Sequence, residues 1–316
     1  MEQHDVRDVE ALRKRPDLLA WADVYVAISN NTNVDVVAAA GVPLVFVDVL
    51  FWMKRQRTHA MDVASVYVIE NYPGVDARLA DLPVDGAIRV GPILARSKRA
   101  SDGRAPVHVS IGGAASPDLV PGRNTQYPTR VVALADRLAQ REGWPFLEVA
   151  MGSAARASVV PRSRAGAVTL DGATYRRRLT QADALLTSPG LNGPLEAFVA
   201  EVPVVFLPPQ NLTQVFHLRA YEEAGLTPAG LGLADLLPGF HVDARAPEAV
   251  GTALVLDALA RLSDRHWESV LEHVMARLAA VRTEPFEQTR RQRAWVDSLG
   301  IDGASEVADQ IRRLAS

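Results

Sequence analysis

Short apolar runs rich in valine and isoleucine recur along the chain, and between them apolar residues return every third or fourth position. In the first third the runs are Val24 to Ser29, Pro43 to Val49, Val66 to Tyr72 and Ile88 to Ile93. They are continuous rather than alternating, the pattern of strands covered on both faces, and their alternation with helical stretches predicts an α/β fold of parallel sheets with helices on both sides. Over ARSKRASDGRAP, residues 95–106, the periodicity stops and charged and small residues take over. That stretch reads as a linker between a domain spanning 1–98 and another spanning 105–316.

The second domain opens with the strand VHVSIGG, then a helix around Thr129 to Arg141. Further strands are predicted at Phe146 to Ala150, Ala167 to Leu170, Ala184 to Ser188 and Val202 to Leu207, each followed by a helical or turn segment. This spacing is that of a doubly wound domain. From Pro247 onward the pattern is helical to the end, and the last helices are expected to finish the second domain and to pack back across the first.

Composition narrows the function classes. With 34 basic and 37 acidic residues the net charge is -3, so no global field favours nucleic acid or an anionic membrane. The absence of cysteine excludes disulfides and thiolate chemistry and fits a reducing cytoplasm. No apolar run has the ~18 residues of a membrane span. A soluble cytoplasmic protein is therefore expected, with a homodimer left open. Motifs for a phosphate loop, a GxGxxG turn, a nucleophile elbow or a zinc protease are missing, and no DxD pair suggests a metal-bound diphosphate. The arginine-rich runs at 175–178 and 290–293 read as solvated helix faces.

The segment SPGLNGPLEAFV, residues 188–199, carries the candidate chemistry. Taking Pro194 as the first helical residue makes Gly193 the cap, with no side-chain oxygen to meet the backbone donors of Leu195 and Glu196. A phosphate meets them if it binds there, drawn by the positive helix end. A plain strand-turn-helix, with the glycines serving the turn alone, explains the spacing equally well.

The longer string ADALLTSPGLNGPLEAFVAEVPVVFLPPQNLTQVFHLRAYEEAGL resembles the donor-binding segment of GT-B glycosyltransferases, both the natural-product and macrolide type and the peptidoglycan N-acetylglucosaminyltransferase. The resemblance spans roughly residues 20 to 316 and is specific in this segment. It implies two Rossmann-like domains and places Gly190, Asn192, Glu196, Pro203, Pro208 and Gln214 on the family's motif. By position, Glu196 would accept from the ribose hydroxyls of a nucleotide sugar, Asn192 and the amides around Gly190 and Gly193 would hold the diphosphate, and Gln214 would reach the donor sugar. Gly112 and Gly113, in SIGGAAS, match the family's first nucleotide-domain loop, where they would let backbone donors approach a phosphate or the acceptor; a plain tight turn explains them equally well. Leu191 stands where many relatives have histidine, which shifts phosphate contact onto backbone donors; His217 is a candidate to compensate, although a lone helical histidine is more often a surface or satisfied core residue.

LLAWADVYVAISNNTNVDVVAAAGVPLVFVDVLFW resembles the middle of the family's acceptor domain. The family's first strand, its glycine loop and often its base histidine are not found before Trp21, so the resemblance implies a shortened amino-terminal domain, with three explanations open: a sequence that is a fragment, a base recruited elsewhere, or a chain that has stopped being a transferase. Asp48 and Glu70 are candidates, although a structural aspartate explains Asp48 as well. The function implied is transfer of a sugar from a nucleoside-diphosphate sugar, with no other cofactor and no metal, to a small-molecule hydroxyl or amine, with inversion. The alternatives are a nucleotide-sugar hydrolase or epimerase on the same fold, or a non-catalytic partner of a transferase.

Overall fold

The computed structural model describes residues 12–14, 16–100, 107–112, 126–243, 246–300 and 302–315. Backbone packing divides the chain into two compact units, Met1–Leu94 with Asp297–Ser316, and Ala95–Val296. Among the described residues no helix is long and apolar enough to cross a membrane.

In the first unit, helix α1 (Pro16–Ala20) precedes strand β1 (Tyr25–Ile28), and helices α2 (Val34–Ala39), α3 (Ala60–Val63) and α4 (Val75–Asp81) link it in turn to β2 (Leu44–Asp48), β3 (Val66–Glu70) and β4 (Ile88–Val90). All four strands are parallel and lie in chain order. The second unit begins with β5 (His108–Ser110), α5 (Gln126–Glu142), β6 (Leu147–Ala150), α6 (Ser153–Ala157), β7 (Ala165–Val168) and α7 (Gly172–Thr180). It continues with β8 (Leu185–Thr187), α8 (Asn192–Val199), β9 (Val204–Phe206), α9 (Leu212–Glu223) and the helices α10 (Leu233–Leu236), α11 (Glu248–Arg261), α12 (Asp264–Thr283) and α13 (Pro285–Ser298). A last helix, α14 (Gly303–Ala315), returns to the first unit.

The expected α/β class of parallel sheets is what forms, with strands shorter than their apolar runs. Only the residues that exchange ladder hydrogen bonds count as strand. The run Ala167 to Leu170 is instead shifted by two residues, to β7 at Ala165–Val168, because its register with β6 pairs Leu147 with Ala165 and Ala150 with Val168. Pro203 stays outside β9 yet still accepts from the Leu185 amide at 2.8 Å.

In the first unit Val45, Val47, Val68 and Val90 pack with Val307 of α14 in one cluster. The helix is tied down by the Gly91 amide donating to Glu306 Oε2 at 3.0 Å and by Asn71 Nδ2 donating to the Leu299 carbonyl at 2.7 Å. A Cβ on Gly303 would overlap the Gly91 carbonyl oxygen, so glycine there lets the helix touch bare backbone. In the second unit Val109, Val149 and Leu186 join α5, α11 and α12 in one large core.

The order of the second sheet, β7-β6-β5-β8-β9, positions the site. From β5 the chain moves outward through β6 to β7, then crosses to the other side of β5 and moves through β8 to β9. The neighbouring strands β5 and β8 therefore send their outgoing connections in opposite directions, which opens a crevice at their carboxyl ends. Gly112 follows β5 and the turn at 188–191 follows β8, so both predicted loops meet at that switch point.

Candidate functional site

The turn after β8 is shaped by where its carbonyls go. Ser188 O accepts from Gly190 N at 2.7 Å. Gly190 O accepts from the Tyr221 hydroxyl at 2.9 Å, and Leu191 O from Leu195 N at 3.2 Å. In a planar trans peptide the N–H points opposite to the C=O. Tying the Gly190 and Leu191 carbonyls to α9 and to the helix interior therefore turns the amides of Leu191 and Asn192 away from them.

The helix start corrects one expectation. Because Leu195 N is taken by Leu191 O, α8 begins at Asn192 with Leu191 at the cap, and Pro194 is its third residue rather than its first. Leu195 and Glu196 thus lie within the helical ladder, and the donors without an intrahelical acceptor are those of Leu191, Asn192 and Gly193, Pro194 having none. No side chain caps them. By contrast, Asp171 Oδ1 caps α7 through Thr174 N at 2.8 Å, and Asn211 Oδ1 caps α9 through Gln214 N at 2.9 Å.

Gly193 has a packing reason as well. A Cβ there would lie 3.2 Å from the Tyr175 hydroxyl, a group held by Ser110 at the end of β5. Burial, then the nearby charge of Glu196, pushes that phenol up to about 12. Glu196 is half-buried, and burial raises its carboxyl against the opposing charge of Arg176 and a hydrogen bond from the Ala95 amide. Tyr175 and Arg176 therefore belong to the site; the run 175–178 is not simply a solvated face. Asn192 is exposed at the helix start.

A second cluster binds the loop after β5 to the loops after β8 and β9. The Gly112 carbonyl accepts from Gln214 Nε2 at 3.1 Å, from Ser188 Oγ at 3.4 Å and from Gln210 Nε2. Gln214 Oε1 accepts from Gln210 N at 3.0 Å, so both ends of its amide are engaged and the side chain is buried. Gln214, expected to reach a sugar, is in this structure part of the frame. Gly112 contributes its carbonyl to this frame, and its Cα faces open space. Gly113 lies outside the described residues.

His217 is 1% exposed, and burial lowers its pKa to about 3. A neutral, buried ring cannot supply the positive charge that the absent motif histidine would have brought, so that expectation is corrected. Sequence reasoning missed Gln210, Tyr221 and Tyr175. The only signal for the first was its place in PPQN beside the α9 cap, and the other two become visible only through contacts 31 and 18 residues away.

In the first unit Asp48 is 1% exposed; Oδ2 accepts from the Tyr67 hydroxyl at 2.6 Å and pairs with Lys54 Nζ at 2.7 Å, while Oδ1 accepts from Leu50 N at 3.2 Å. This carboxylate is a buried tie between β2, β3 and the following turn, which corrects its reading as a base: its lone pairs are spent on fixed partners away from solvent. Glu70 is 2% exposed, accepts from Ile93 N at 2.9 Å, and is pushed up to about 7 by burial.

No family model matches the chain, and no curated protein matches it in sequence. Among solved structures, UGT71G1 of Medicago truncatula, complexed with UDP-glucose, is 12% identical over 98% of this chain and 80% of its own, with a TM-score of 0.51. CalG4, the calicheamicin glycosyltransferase, is 17% identical over 99% of this chain and 81% of its own, with a TM-score of 0.46. The MnaA–UDP co-structure from S. aureus is 10% identical over 91% of this chain and 84% of its own, with a TM-score of 0.47. Identities this low speak for the fold alone. With its two parallel sheets and the strand reversal at β5 and β8, the chain has the GT-B glycosyltransferase-like fold.

Proposed function

We propose that the chain transfers a sugar from a nucleoside-diphosphate sugar to a hydroxyl or amine of a small-molecule acceptor. The observation that carries this reading is the uncapped start of α8 at the β5/β8 switch point, with its carbonyls anchored inward and its amides turned out. The donor's diphosphate takes the Leu191, Asn192 and Gly193 amides, where the helix end contributes about +0.5 of a charge. Glu196 accepts from the ribose hydroxyls, with Arg176 opposing the burial that raises its carboxyl.

As the bond between the anomeric carbon and the diphosphate oxygen breaks, its electron pair stays on the diphosphate, and the acceptor attacks from the opposite face and gives its proton to solvent. The amides are aimed where that negative charge grows, so they stabilise the leaving group more than the intact donor. Gln210 and Gln214 keep the two loops in register through the Gly112 carbonyl.

Calorimetric titration with UDP, GDP and dTDP tests this directly. One of these diphosphates binds more tightly than its monophosphate, and Glu196→Ala weakens it about 10- to 100-fold, the loss of one or two hydrogen bonds to a charged acceptor at about 1.5–3 kcal/mol. Failure of all three to bind refutes the reading. Sugar release from the donor at the same rate with and without acceptor replaces transfer by hydrolysis.

A further inference from the structure

Tyr175 stands where the parts of the donor site meet. Its ring lies edge-on to His108, the first residue of β5, with 5.2 Å between centroids and 61° between planes. Its hydroxyl reaches Ser110, the last residue of that strand. The side chain therefore runs along β5 and brings the phenol oxygen to the carboxyl end of the sheet, at the switch point. There it faces the first turn of α8: a Cβ on Gly193 would lie 3.2 Å from that oxygen. One helical turn further on, Glu196 is near enough for its charge to act on the phenol, yet no hydrogen bond joins the two among the described residues.

A phenol has one hydrogen to give, and a serine hydroxyl donates as well as accepts. With Ser110 donating to the phenol oxygen, the tyrosine's own hydrogen is left for a further acceptor. Glycine at 193 is what admits that hydroxyl so close to the helix start, because a side chain there presses on it. The inference that follows rests on the reading above, in which the Gly193 amide meets the diphosphate and Glu196 the ribose. A donor beside both residues lies where those two parts of the ligand join, at the phosphate bonded to the ribose.

We propose that Tyr175 donates a hydrogen bond to this nucleoside-side phosphate, adding a side-chain donor to the backbone amides. Such a bond is charge-assisted and about twice as strong as a neutral one. Calorimetric titration of Tyr175→Phe, which keeps the ring against His108, tests it with UDP, GDP and dTDP and with UMP, GMP and dTMP. The diphosphate that the wild type binds and its monophosphate both weaken about tenfold, the loss of one hydrogen bond to a charged group. A merely structural loosening of the α8 start falls on the amides and so weakens the diphosphate more than the monophosphate. Gly193→Ala, which sets a methyl against the same hydroxyl, weakens the monophosphate several-fold and adds nothing in the Tyr175→Phe background. It also serves by itself should Tyr175→Phe fail to fold. Unchanged affinity in either single variant, a loss confined to the diphosphate, or an equal Gly193→Ala loss with and without the hydroxyl overturns the proposal. If the wild type binds none of the three diphosphates, the reading of the site fails and this inference with it.

Discussion

Replacing Tyr221 by phenylalanine isolates the contact that aims the proposed phosphate amides. The ring is fully buried, stacked on Phe206 at 4.9 Å between centroids and 6° between planes, with edge contacts to Phe198 at 5.8 Å and Trp295 at 5.6 Å. Phenylalanine keeps all of these, so the only group removed is the hydroxyl that donates to Gly190 O at 2.9 Å. A neutral hydrogen bond contributes about 0.5–1.5 kcal/mol net, and a stranded buried carbonyl costs about 1–3. Gly190 is half-buried and water can replace the hydroxyl in part, so a loss of about 1 kcal/mol is expected. Urea unfolding followed by tryptophan fluorescence should show a lower midpoint at unchanged slope. The same contact holds the 188–191 turn, so the variant must order that turn when a nucleoside diphosphate binds, and the dissociation constant should rise about fivefold. A stability loss below about 0.3 kcal/mol refutes the hydrogen-bond assignment. Lost stability with unchanged diphosphate affinity refutes the claim that the inward carbonyl aims the amides.

Asp48→Ala leaves Lys54, whose side chain is 14% exposed, without its partner, and should destabilise the first unit by about 3–5 kcal/mol in urea melts; near-wild-type stability with lost transfer would restore Asp48 as a base. Glu70 titrates near 7 in the folded chain against 4.5 unfolded, so between those values the folded state holds the extra proton, and stability from this group is complete below pH 4.5 and lost as pH rises through 7. Glu70→Gln keeps an acceptor for the Ile93 amide and should be more stable than wild type above pH 8 by on the order of 3 kcal/mol, a gap that closes by pH 4; a gap independent of pH counts against the buried neutral carboxyl. Gly303→Ala drives a methyl into the Gly91 carbonyl, and α14 must withdraw from β4 at a cost of about 1–3 kcal/mol or more. Unchanged protection of the Val90 amide in hydrogen exchange would contradict that contact.

The class of the fold was readable because a buried parallel strand has to be apolar on both faces, and nothing else in a chain of this composition makes such short continuous runs. Val45 to Val47 and Leu185 to Leu186 announce themselves in that way, and both are fully buried. The α8 segment was readable for a similar local reason: a glycine-rich turn before a proline and an apolar stripe specifies a strand-turn-helix within a dozen residues. Its exact start was not, because the residue whose carbonyl closes the first turn, Leu191, is chosen by the Gly190 tether to Tyr221, 31 positions on. The same holds for the frame around Gly112. That Gln210 and Gln214 share one carbonyl depends on β5 lying beside β8, and strand order leaves no mark in local periodicity. Charge partners were hidden too: Asp48 reads as a strand-end acid open to base chemistry until Lys54 and Tyr67 are seen closing on it. Side-chain pattern acts over one helical turn or one strand and travels with the chain, whereas burial, pKa and hydrogen-bond satisfaction are properties of whatever the fold brings alongside.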